Sequence, residues 1–295
     1  MLPFDISITK IFLENFEKFI RRLSDQIGPQ NLEPLKPYQS VAWLEQNEKF
    51  QSWARADVKR LIICGADGTG KTQLVRRIVS QLKLKHGLQS QIKEREVLVH
   101  FVDWKDKDRL SPTSVLRSFL FQLLRSNPDL FKQVYHKMHD PPIVYEDLEQ
   151  LLVDLLSNSR LNHLELIIHA IDNMDEVSRD QIGRTLLRLI PAKSGMPHVT
   201  VLLSCKTCDI FSENIEASFS KLGLQHSEKS RLALEEIALG SQSGEEFSSY
   251  IKRSINAMPS SHRLTSEVRD LVRDCLLAKT DIKRESNVNI PYNVS

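Results

Sequence analysis

The feature that most constrains this chain is a glycine-rich segment between a short apolar run and a helical pattern. The apolar run, Leu61 to Cys64, has the length and composition of a buried strand. Apolar residues at helical spacing begin at Leu74 and continue to Leu82. Between them stands Gly65-Ala66-Asp67-Gly68-Thr69-Gly70-Lys71-Thr72-Gln73. The order of strand, glycine loop and helix is the setting in which this spacing of Gly, Gly, Lys and Thr forms a phosphate-binding loop.

The residue types in this loop suit the chemistry of a nucleoside triphosphate. The three glycines let the backbone turn, so that successive N–H groups converge on phosphate oxygens at a helix N-terminus. Lys71 is placed to reach the β- and γ-phosphates and to act in catalysis, and the Thr72 hydroxyl is placed to ligate Mg²⁺. We therefore predict that residues 65–73 bind ATP or GTP with Mg²⁺. The motif does not distinguish the two bases.

A second segment supplies the acidic residues that such a loop requires. Residues 164–171 form a mostly apolar strand pattern that runs into Asp172. Because ligands bind beyond the carboxyl ends of parallel strands, Asp172 is predicted to hold Mg²⁺ opposite Thr72. Asp175 and Glu176 follow, and either of them is placed to orient or deprotonate the attacking water. The alternative, that these two only form the acidic start of a helix, stays open.

The remaining pattern predicts a parallel sheet covered by helices on both faces. Strand patterns at 61–64, 97–102, 164–171, 198–204 and 231–239 alternate with helical ones, which is typical of three-layer α/β proteins. Ser204, at the end of the fourth strand, is predicted to contact the γ-phosphate. The predicted organisation is an N-terminal helix and linker (1–37), a P-loop NTPase core with a mostly parallel sheet (38–240), and a helical extension with a polar tail (241–295).

The N-terminal segment has a distinct apolar face. Residues 8–27 predict an amphipathic helix with Phe12, Phe16, Phe19 and Ile20 along one stripe. Such a stripe either docks on the domain, which is the favoured interpretation, or meets a partner, a membrane surface or a second copy of the chain.

Composition excludes some classes of function. A formal net charge of +2 gives no reason to expect nucleic acid as a partner. No apolar stretch approaches the roughly 18 residues of a membrane span, and no secretion signal is visible at the N-terminus. Four cysteines in a chain of this size favour a reducing compartment, so a cytoplasmic location is expected.

The acidic segment also carries a family resemblance. Ile171-Asp172-Asn173-Met174-Asp175-Glu176 resembles the signature of NACHT domains in the STAND class of signalling NTPases, where Asp-Gly/Ala-Leu-Asp-Glu is typical. The fungal heterokaryon-incompatibility proteins are most similar, through Trp43-Leu44 and Phe50-x-x-Trp53 before the loop and 99–104 after it. The resemblance covers roughly residues 40–255. Asn173 and Met174 depart from the signature, and Cys205-Lys206 replaces the usual Ser-Arg.

The resemblance implies slow, Mg²⁺-dependent hydrolysis of ATP or GTP used as a signalling switch, with protein partners or self-association. The alternative is a non-catalytic interaction module that a nucleotide only stabilises. A small-molecule kinase is disfavoured because lid and acceptor-site arginines are not apparent.

The cysteines, His169 and four arginines are not included in the predicted site. Cys205-Lys206-Thr207-Cys208 lacks a second metal-ligand pair, and Cys64 is taken as isolated. His169 is expected to be a satisfied core histidine, and Arg76 and Arg77 are expected to point away from the loop. Arg117 and Arg125 are candidates, by neighbourhood only, for an arginine that contacts phosphate.

Overall fold

The computed structural model describes residues 6–25, 42–89, 95–132, 144–190, 195–207, 209–211 and 234–239. The chain divides into two compact units, Met1–Ala238 and Leu239–Ser295. Apart from Leu239, the second unit lies outside the described residues, as does the helical extension expected there. The architecture below is therefore that of the first unit.

A five-stranded sheet forms the centre of the first unit. Its strands are β1 (Arg60–Cys64), β2 (Arg95–Phe101), β3 (His163–His169), β4 (His198–Cys205) and β5 (Leu234–Ala238). They lie in the order β2-β3-β4-β1-β5, and each adjacent pair is parallel. The predicted three-layer α/β fold is confirmed. The carboxyl ends of β1, β3 and β4 lie side by side, which places the loop after β1 next to the segment after β3.

Helices connect and cover these strands. They are α1 (Ile6–Asp25), α2 (Ala42–Gln46), α3 (Glu48–Ala54), α4 (Lys71–Gln89), α5 (Pro112–Ser126), α6 (Tyr145–Ser157) and α7 (Glu176–Leu189). Short 3₁₀ turns cover Lys107–Arg109, Pro128–Leu130 and Ile171–Asn173. Ser111 caps α5, because its side chain accepts a hydrogen bond from the Ser114 N–H and Pro112 opens the helix.

The two faces of β3 show how the layers are divided. Successive side chains of a strand point to opposite faces of the sheet. Leu164, Leu166 and Ile168 belong to the apolar cluster that also contains residues of α1, α5, α6 and α7. The alternate residues, which include Glu165 and His169, lie on the face covered by α4.

Helix α1 docks on the core. Phe16, Phe19, Ile20 and Leu23 are buried, and the rings of Phe16 and Phe19 lie 5.3 and 5.1 Å from that of Phe131. The stripe is therefore not available as an association surface at these positions. The side chain of Phe12 lies outside the described residues. Among the helices that the structure describes, none is both long and apolar enough to cross a membrane.

Candidate functional site

The glycine loop between β1 and α4 has the backbone shape that its sequence demands. Gly68 and Gly70 have φ angles of +85° and +86°, a region that residues with a Cβ rarely adopt. The Thr69 hydroxyl donates to the Ala66 carbonyl at 2.9 Å, and the Gly65 N–H donates to the Cys205 carbonyl at 3.2 Å. These bonds close the loop and attach it to the end of β4.

Lys71 lies inside the loop. Its ammonium donates to the carbonyl oxygen of Gly65 and, at 2.8 Å, to that of Ala66. Burial lowers the pKa of Lys71, while the nearby carboxylates of Asp67 and Asp172 raise it. A buried ammonium held mainly by neutral carbonyls gains from a new anionic partner, and phosphate oxygens would provide one.

A cavity of about 640 Å³ opens beside the loop. Its lining combines loop residues, the first turns of α4, and the segments that follow β2, β3 and β4. The lining residues are Asp67, Gly68, Gly70, Lys71, Thr72, Gln73, Arg76, Phe101, Val102, Asp103, Trp104, Arg109, His169, Ala170, Asp172, Asn173 and Lys206. The structure thus brings the predicted loop and the predicted metal-binding Asp172 to one cavity.

Some residues of the predicted binding set do not line the cavity. Gly65, Ala66 and Thr69 belong to the loop but are not among the cavity-lining residues. Ser204 is fully buried and does not line the cavity, and its hydrogen bonds are to His169 and Ala170, which do.

Strand β3 ends at His169, three residues before Asp172. Ala170 adopts a left-handed conformation with φ +56°, and the turn Ile171–Asn173 follows. This sharp turn is unusual for a residue with a Cβ and is of the kind found at functional sites. Asp172 therefore lies on a turn at the cavity wall, half-buried, instead of continuing the strand.

His169 contacts the Thr72 hydroxyl. Its Nε2 lies 2.9 Å from Thr72 Oγ1 and its Nδ1 lies 2.5 Å from Ser204 Oγ. Burial lowers the pKa of His169 to about 4, and the charges of Lys71 and Arg76 act in the same direction. The ring is thus neutral at physiological pH. It is buried, as expected, but it also lines the cavity, so its interpretation as a core residue alone is incomplete.

The two candidate catalytic carboxylates lie outside the cavity lining. Asp175 is the N-cap of α7: its side chain accepts bonds from the Ser178 N–H at 2.9 Å and the Ser178 hydroxyl at 2.8 Å. These bonds lower the pKa of Asp175. Glu176 is exposed in the first turn of α7. Their assignment to water activation stays a prediction, because no contact described here joins either of them to the cavity.

The arginines at the cavity differ from the expected ones. Arg117 and Arg125 on α5 do not line it, whereas Arg76 and Arg109 do. The expectation that Arg76 turns away from the loop is wrong. It lies one turn after Thr72 on α4, which carries its side chain to the same side of the helix.

Arg76 is held over an aromatic ring. Its guanidinium carbon lies 5.8 Å from the centroid of Phe101, and its Nε is buried with no hydrogen-bond partner among the described residues. A guanidinium with an unused donor at the cavity wall is suited to an anion.

Lys206 forms an ion pair with Asp67 of the glycine loop. Its ammonium lies 3.0 Å from Asp67 Oδ2, and this hydrogen bond raises the pKa of Lys206. Lys206 also lines the cavity, at the place where the family resemblance expects a sensor arginine.

The residues at the cavity fit Mg²⁺ with a triphosphate. The Thr72 hydroxyl and the Asp172 carboxylate are oxygen donors of the kind that Mg²⁺ prefers, and both face the same cavity. A Cβ added at Gly68 or Gly70 would meet no atom within 4 Å, so the loop backbone borders open space that phosphate groups can approach. The described residues contain no cluster of three or more His, Cys, Asp or Glu side chains suited to a transition metal.

The cysteines near the loop end need one correction. Cys64 is disulfide-bonded, so the expectation that it is isolated is wrong. Cys205 is free and buried, and burial raises the pKa of its thiol to about 12. This thiol is therefore protonated and unreactive, in agreement with setting the C-x-x-C pattern aside. Cys208 lies outside the described residues.

A family match covers the loop, the cavity and four of the five strands described, β1 to β4. The model of the family described as "Nephrocystin 3, N-terminal" matches residues 39–206, more than half of the chain. The chain belongs to this family. The nephrocystin-3 N-terminal match begins before α2 and ends at Lys206, so it contains each of the candidate site residues. A search of curated proteins finds no match.

Solved structures are similar to this nephrocystin-3 N-terminal family member in fold alone. Cdc6p from Pyrobaculum aerophilum is 14% identical, with a TM-score of 0.43 over 76% of this chain and 51% of its own. The ORC2 protein of Aeropyrum pernix, in ADPNP–ADP complexes, is 15% identical, with a TM-score of 0.41 over 75% and 52%. Drosophila ORC bound to poly(dA/dT) DNA and Cdc6 is 15% identical, with a TM-score of 0.41 over 83% and 36%. The match thus spans about half of the first structure's own length.

The cavity lining includes three side chains that were not predicted there from the sequence, namely His169, Arg76 and Arg109. One signal was available for His169, because a polar residue near the carboxyl end of an apolar strand lies at the ligand-binding edge of a parallel sheet. For Arg76 the signal was its spacing of one helical turn from Thr72.

Proposed function

We propose that the chain binds a purine nucleoside triphosphate together with Mg²⁺ in the cavity beside the glycine loop. The observation that carries this proposal is the convergence of Lys71, Thr72 and Asp172 on one cavity bordered by a loop with two positive φ angles. Backbone N–H groups at the start of α4 would bind phosphate oxygens, and the helix dipole favours negative charge there.

Each residue has a distinct role in this proposal. Lys71 would exchange its loop carbonyls for the β- and γ-phosphates, while Thr72 and Asp172 would hold the metal. Mg²⁺, when bound, would neutralise the negative charge that develops on the phosphate oxygens during transfer. Arg76 and Lys206, both at the cavity, would contribute further positive charge toward the γ-phosphate.

We further propose slow hydrolysis that serves as a signalling switch. The resemblance of residues 171–176 to the NACHT signature of STAND proteins, including the fungal heterokaryon-incompatibility type, supports this interpretation. Phosphoryl transfer depends mainly on positioning and charge stabilisation, so a site in which some of these parts are incomplete turns over slowly.

The position of the carboxylates favours a second candidate. Asp175 is engaged as a helix cap and Glu176 is exposed outside the cavity lining. These observations favour a non-catalytic module in which the nucleotide stabilises the fold. The two candidates share the binding site and differ only in turnover.

The deciding experiment measures binding and turnover of ATP and GTP on the same protein. Titration calorimetry with and without Mg²⁺ gives affinity, and phosphate release gives turnover.

Asp172→Asn should remove most of the Mg²⁺ enhancement of binding, since a neutral amide is a poor ligand for a hard cation. Glu176→Gln should keep binding and slow turnover if the switch proposal is correct. Glu146→Gln, an exposed carboxylate in the first turn of α6, is the matched control. Undetectable binding of both nucleotides would refute the proposal.

Self-association on triphosphate binding is the part of the proposal that needs a separate test. Light scattering with a non-hydrolysable triphosphate should show an increase in mass. Because Phe16 and Phe19 are packed in the core, deletion of residues 1–30 is expected to lower the melting temperature rather than only to prevent assembly. A chain that stays monomeric under all nucleotide conditions would contradict the assembly step.

A further inference from the structure

The contact between His169 and Thr72 concerns the hydroxyl that the proposed function assigns to the metal. Three side chains form a continuous path: Thr72 Oγ1 to His169 Nε2 at 2.9 Å, and His169 Nδ1 to Ser204 Oγ at 2.5 Å. Ser204 also accepts a bond from the Ala170 N–H at 3.0 Å. The path thus runs from the start of α4, through the end of β3, to the end of β4.

The proton count along this path has two solutions. A neutral imidazole carries one N–H donor and one acceptor nitrogen. If Nε2 carries the hydrogen, it donates to Thr72 Oγ1, and the Thr72 proton is left to point elsewhere. If Nδ1 carries it, Nδ1 donates to Ser204 Oγ, and Nε2 accepts the Thr72 proton. Both solutions satisfy the Ala170 N–H, because a serine oxygen has two lone pairs. They differ at the buried Ser204 hydroxyl, whose proton is donated to Nδ1 in the first solution and has no acceptor among the described residues in the second.

A cation at Thr72 distinguishes these solutions. A hydroxyl that ligates Mg²⁺ uses an oxygen lone pair, and its proton must point away from the metal. Only the solution with hydrogen on Nδ1 gives that proton an acceptor, His169 Nε2, and leaves both lone pairs of Thr72 for the cavity. In the other solution, the imidazole N–H occupies one of these lone pairs.

We propose that His169 is a positioning residue, which accepts the Thr72 proton at Nε2 and so directs the Thr72 oxygen toward bound Mg²⁺. In this tautomer the Nδ1–H donates to Ser204 Oγ, and Nδ1 is no longer an acceptor for the Ser204 proton, so the cation at Thr72, and not Ser204, selects the tautomer. The imidazole is not a metal ligand, because Mg²⁺ prefers oxygen donors. This inference rests on the proposed function, since it concerns the metal of that same site.

Two substitutions separate the two ring nitrogens. In His169→Asn the amide overlays the Nδ1 position, so the Ser204 contact can persist while Thr72 loses its acceptor. In His169→Gln the amide reaches the Nε2 position, so its carbonyl can accept the Thr72 proton while the Ser204 contact is lost. His163→Asn is the matched control, because His163 is a buried histidine on the same face at the other end of β3.

The measurement is the ratio of ATP affinity in Mg²⁺ to that in EDTA, by titration calorimetry. His169→Asn should lower this ratio by about tenfold, the lower end of the effect of removing a partner of a metal ligand. His169→Gln should keep it within about threefold of wild type, and His163→Asn should not change it. Affinity in EDTA should be the same in all four proteins. An unchanged ratio in His169→Asn, or an equal loss with Mg²⁺ and with EDTA, would overturn the inference.

A second measurement does not depend on the variants folding. Nitrogen chemical shifts of the His169 ring in the wild-type protein report which nitrogen carries the hydrogen. With Mg²⁺ and a non-hydrolysable triphosphate bound, the hydrogen should be on Nδ1, and a hydrogen on Nε2 would overturn the inference. Wild-type protein that binds no nucleotide refutes the proposed function itself, whereas wild-type binding with an unchanged ratio in His169→Asn refutes only the role of His169.

Discussion

The two ends of β3 carry the same residue type on the same face of the sheet, yet their surroundings differ. His169, at the carboxyl end, contacts Thr72 and Ser204 and lines an open cavity. His163, at the amino end, lies 3.7 Å from Glu165 in an enclosed cluster with His86. Helix α4 covers both, beginning beside His169 and ending beside Glu165.

The enclosed cluster shows what burial does without a ligand site. Burial raises the pKa of Glu165 to about 7, against the attraction of Arg95, and one carboxylate oxygen has no hydrogen-bond partner among the described residues. Burial, with Arg95 adding to it, lowers the pKa of His163 to about 3. Burial is also the main cause that lowers the pKa of His86 to about 4. His86 is therefore neutral at neutral pH, and its contact with Glu165 is not an ion pair.

A perturbed pKa therefore does not by itself locate the functional end of a strand. Both ends have shifted titratable groups, but only the carboxyl end combines them with a glycine loop, a helix N-terminus and an open cavity. We therefore expect substitutions at the carboxyl end to change ligand affinity and those at the amino end to change stability.

Lys71→Ala should have the largest effect. Loss of charged hydrogen bonds to phosphate, each worth about 1.5–3 kcal/mol, should lower ATP affinity by about a hundredfold. The melting temperature should change little, since the hydrogen bonds of Lys71 to the described residues go to two loop carbonyls. Lys85→Ala, an exposed lysine in the last turns of the same helix, is the control. Unchanged affinity in a folded Lys71→Ala protein would show that the carboxyl end is not the ligand end.

Glu165→Gln should change stability in a pH-dependent manner and leave nucleotide affinity unchanged. The folded pKa of about 7 lies above the ordinary value of 4.5, so the folded chain binds more protons between these values. The contribution of Glu165 to stability is therefore present below about pH 4.5 and is lost as the pH rises through 7.

Glutamine mimics the protonated acid, so the variant should gain about 1–3 kcal/mol over wild type at pH 8 and less at pH 5.5. Urea unfolding at both pH values measures this difference. A gain of the same size at both values would contradict the assigned pKa shift.

Arg76→Met should lower ATP affinity by about tenfold while keeping the aliphatic contact with Phe101. Arg77→Met, the neighbouring arginine that does not line the cavity, should have no effect on affinity. The same loss of affinity in both variants would indicate a general electrostatic effect of the arginines of α4. Arg76 would then not be a specific contact to ATP.

Arg95→Ala should have the smallest effect. Its guanidinium lies 4.0 Å from Glu165 and is partly exposed, so its loss should cost less than about 1 kcal/mol. The cost should appear at pH 8, where Glu165 is charged, and vanish at pH 5.5. Arg55→Ala, from an exposed pair with Asp57, is the control and should show no such pH dependence. A loss at pH 5.5 would indicate a packing role for Arg95 instead.

Much of the site was predictable because its parts are local in sequence. The run from Leu61 to Leu82 determines a strand, a glycine loop and a helix, since positive φ at Gly68 and Gly70 needs no distant partner. The five strands were identified to within a few residues. For β1, β3 and β4 the reason is that strands buried on both faces form continuous apolar runs. The apolar stripe of α1 was also visible, although whether it docks depended on a partner surface that includes Phe131.

The tertiary structure decided which side chains meet. Sequence alone determined that this chain has a phosphate-loop fold and that Lys71, Thr72 and Asp172 are the residues to examine. It did not determine that β3 stops at His169, because the stop depends on the left-handed turn at Ala170 and on its bond to Ser204 of β4. Nor did it place His169 under Thr72 while Asp175 caps α7. These contacts join residues far apart in the chain, and strand order and register, which no local pattern encodes, bring them together.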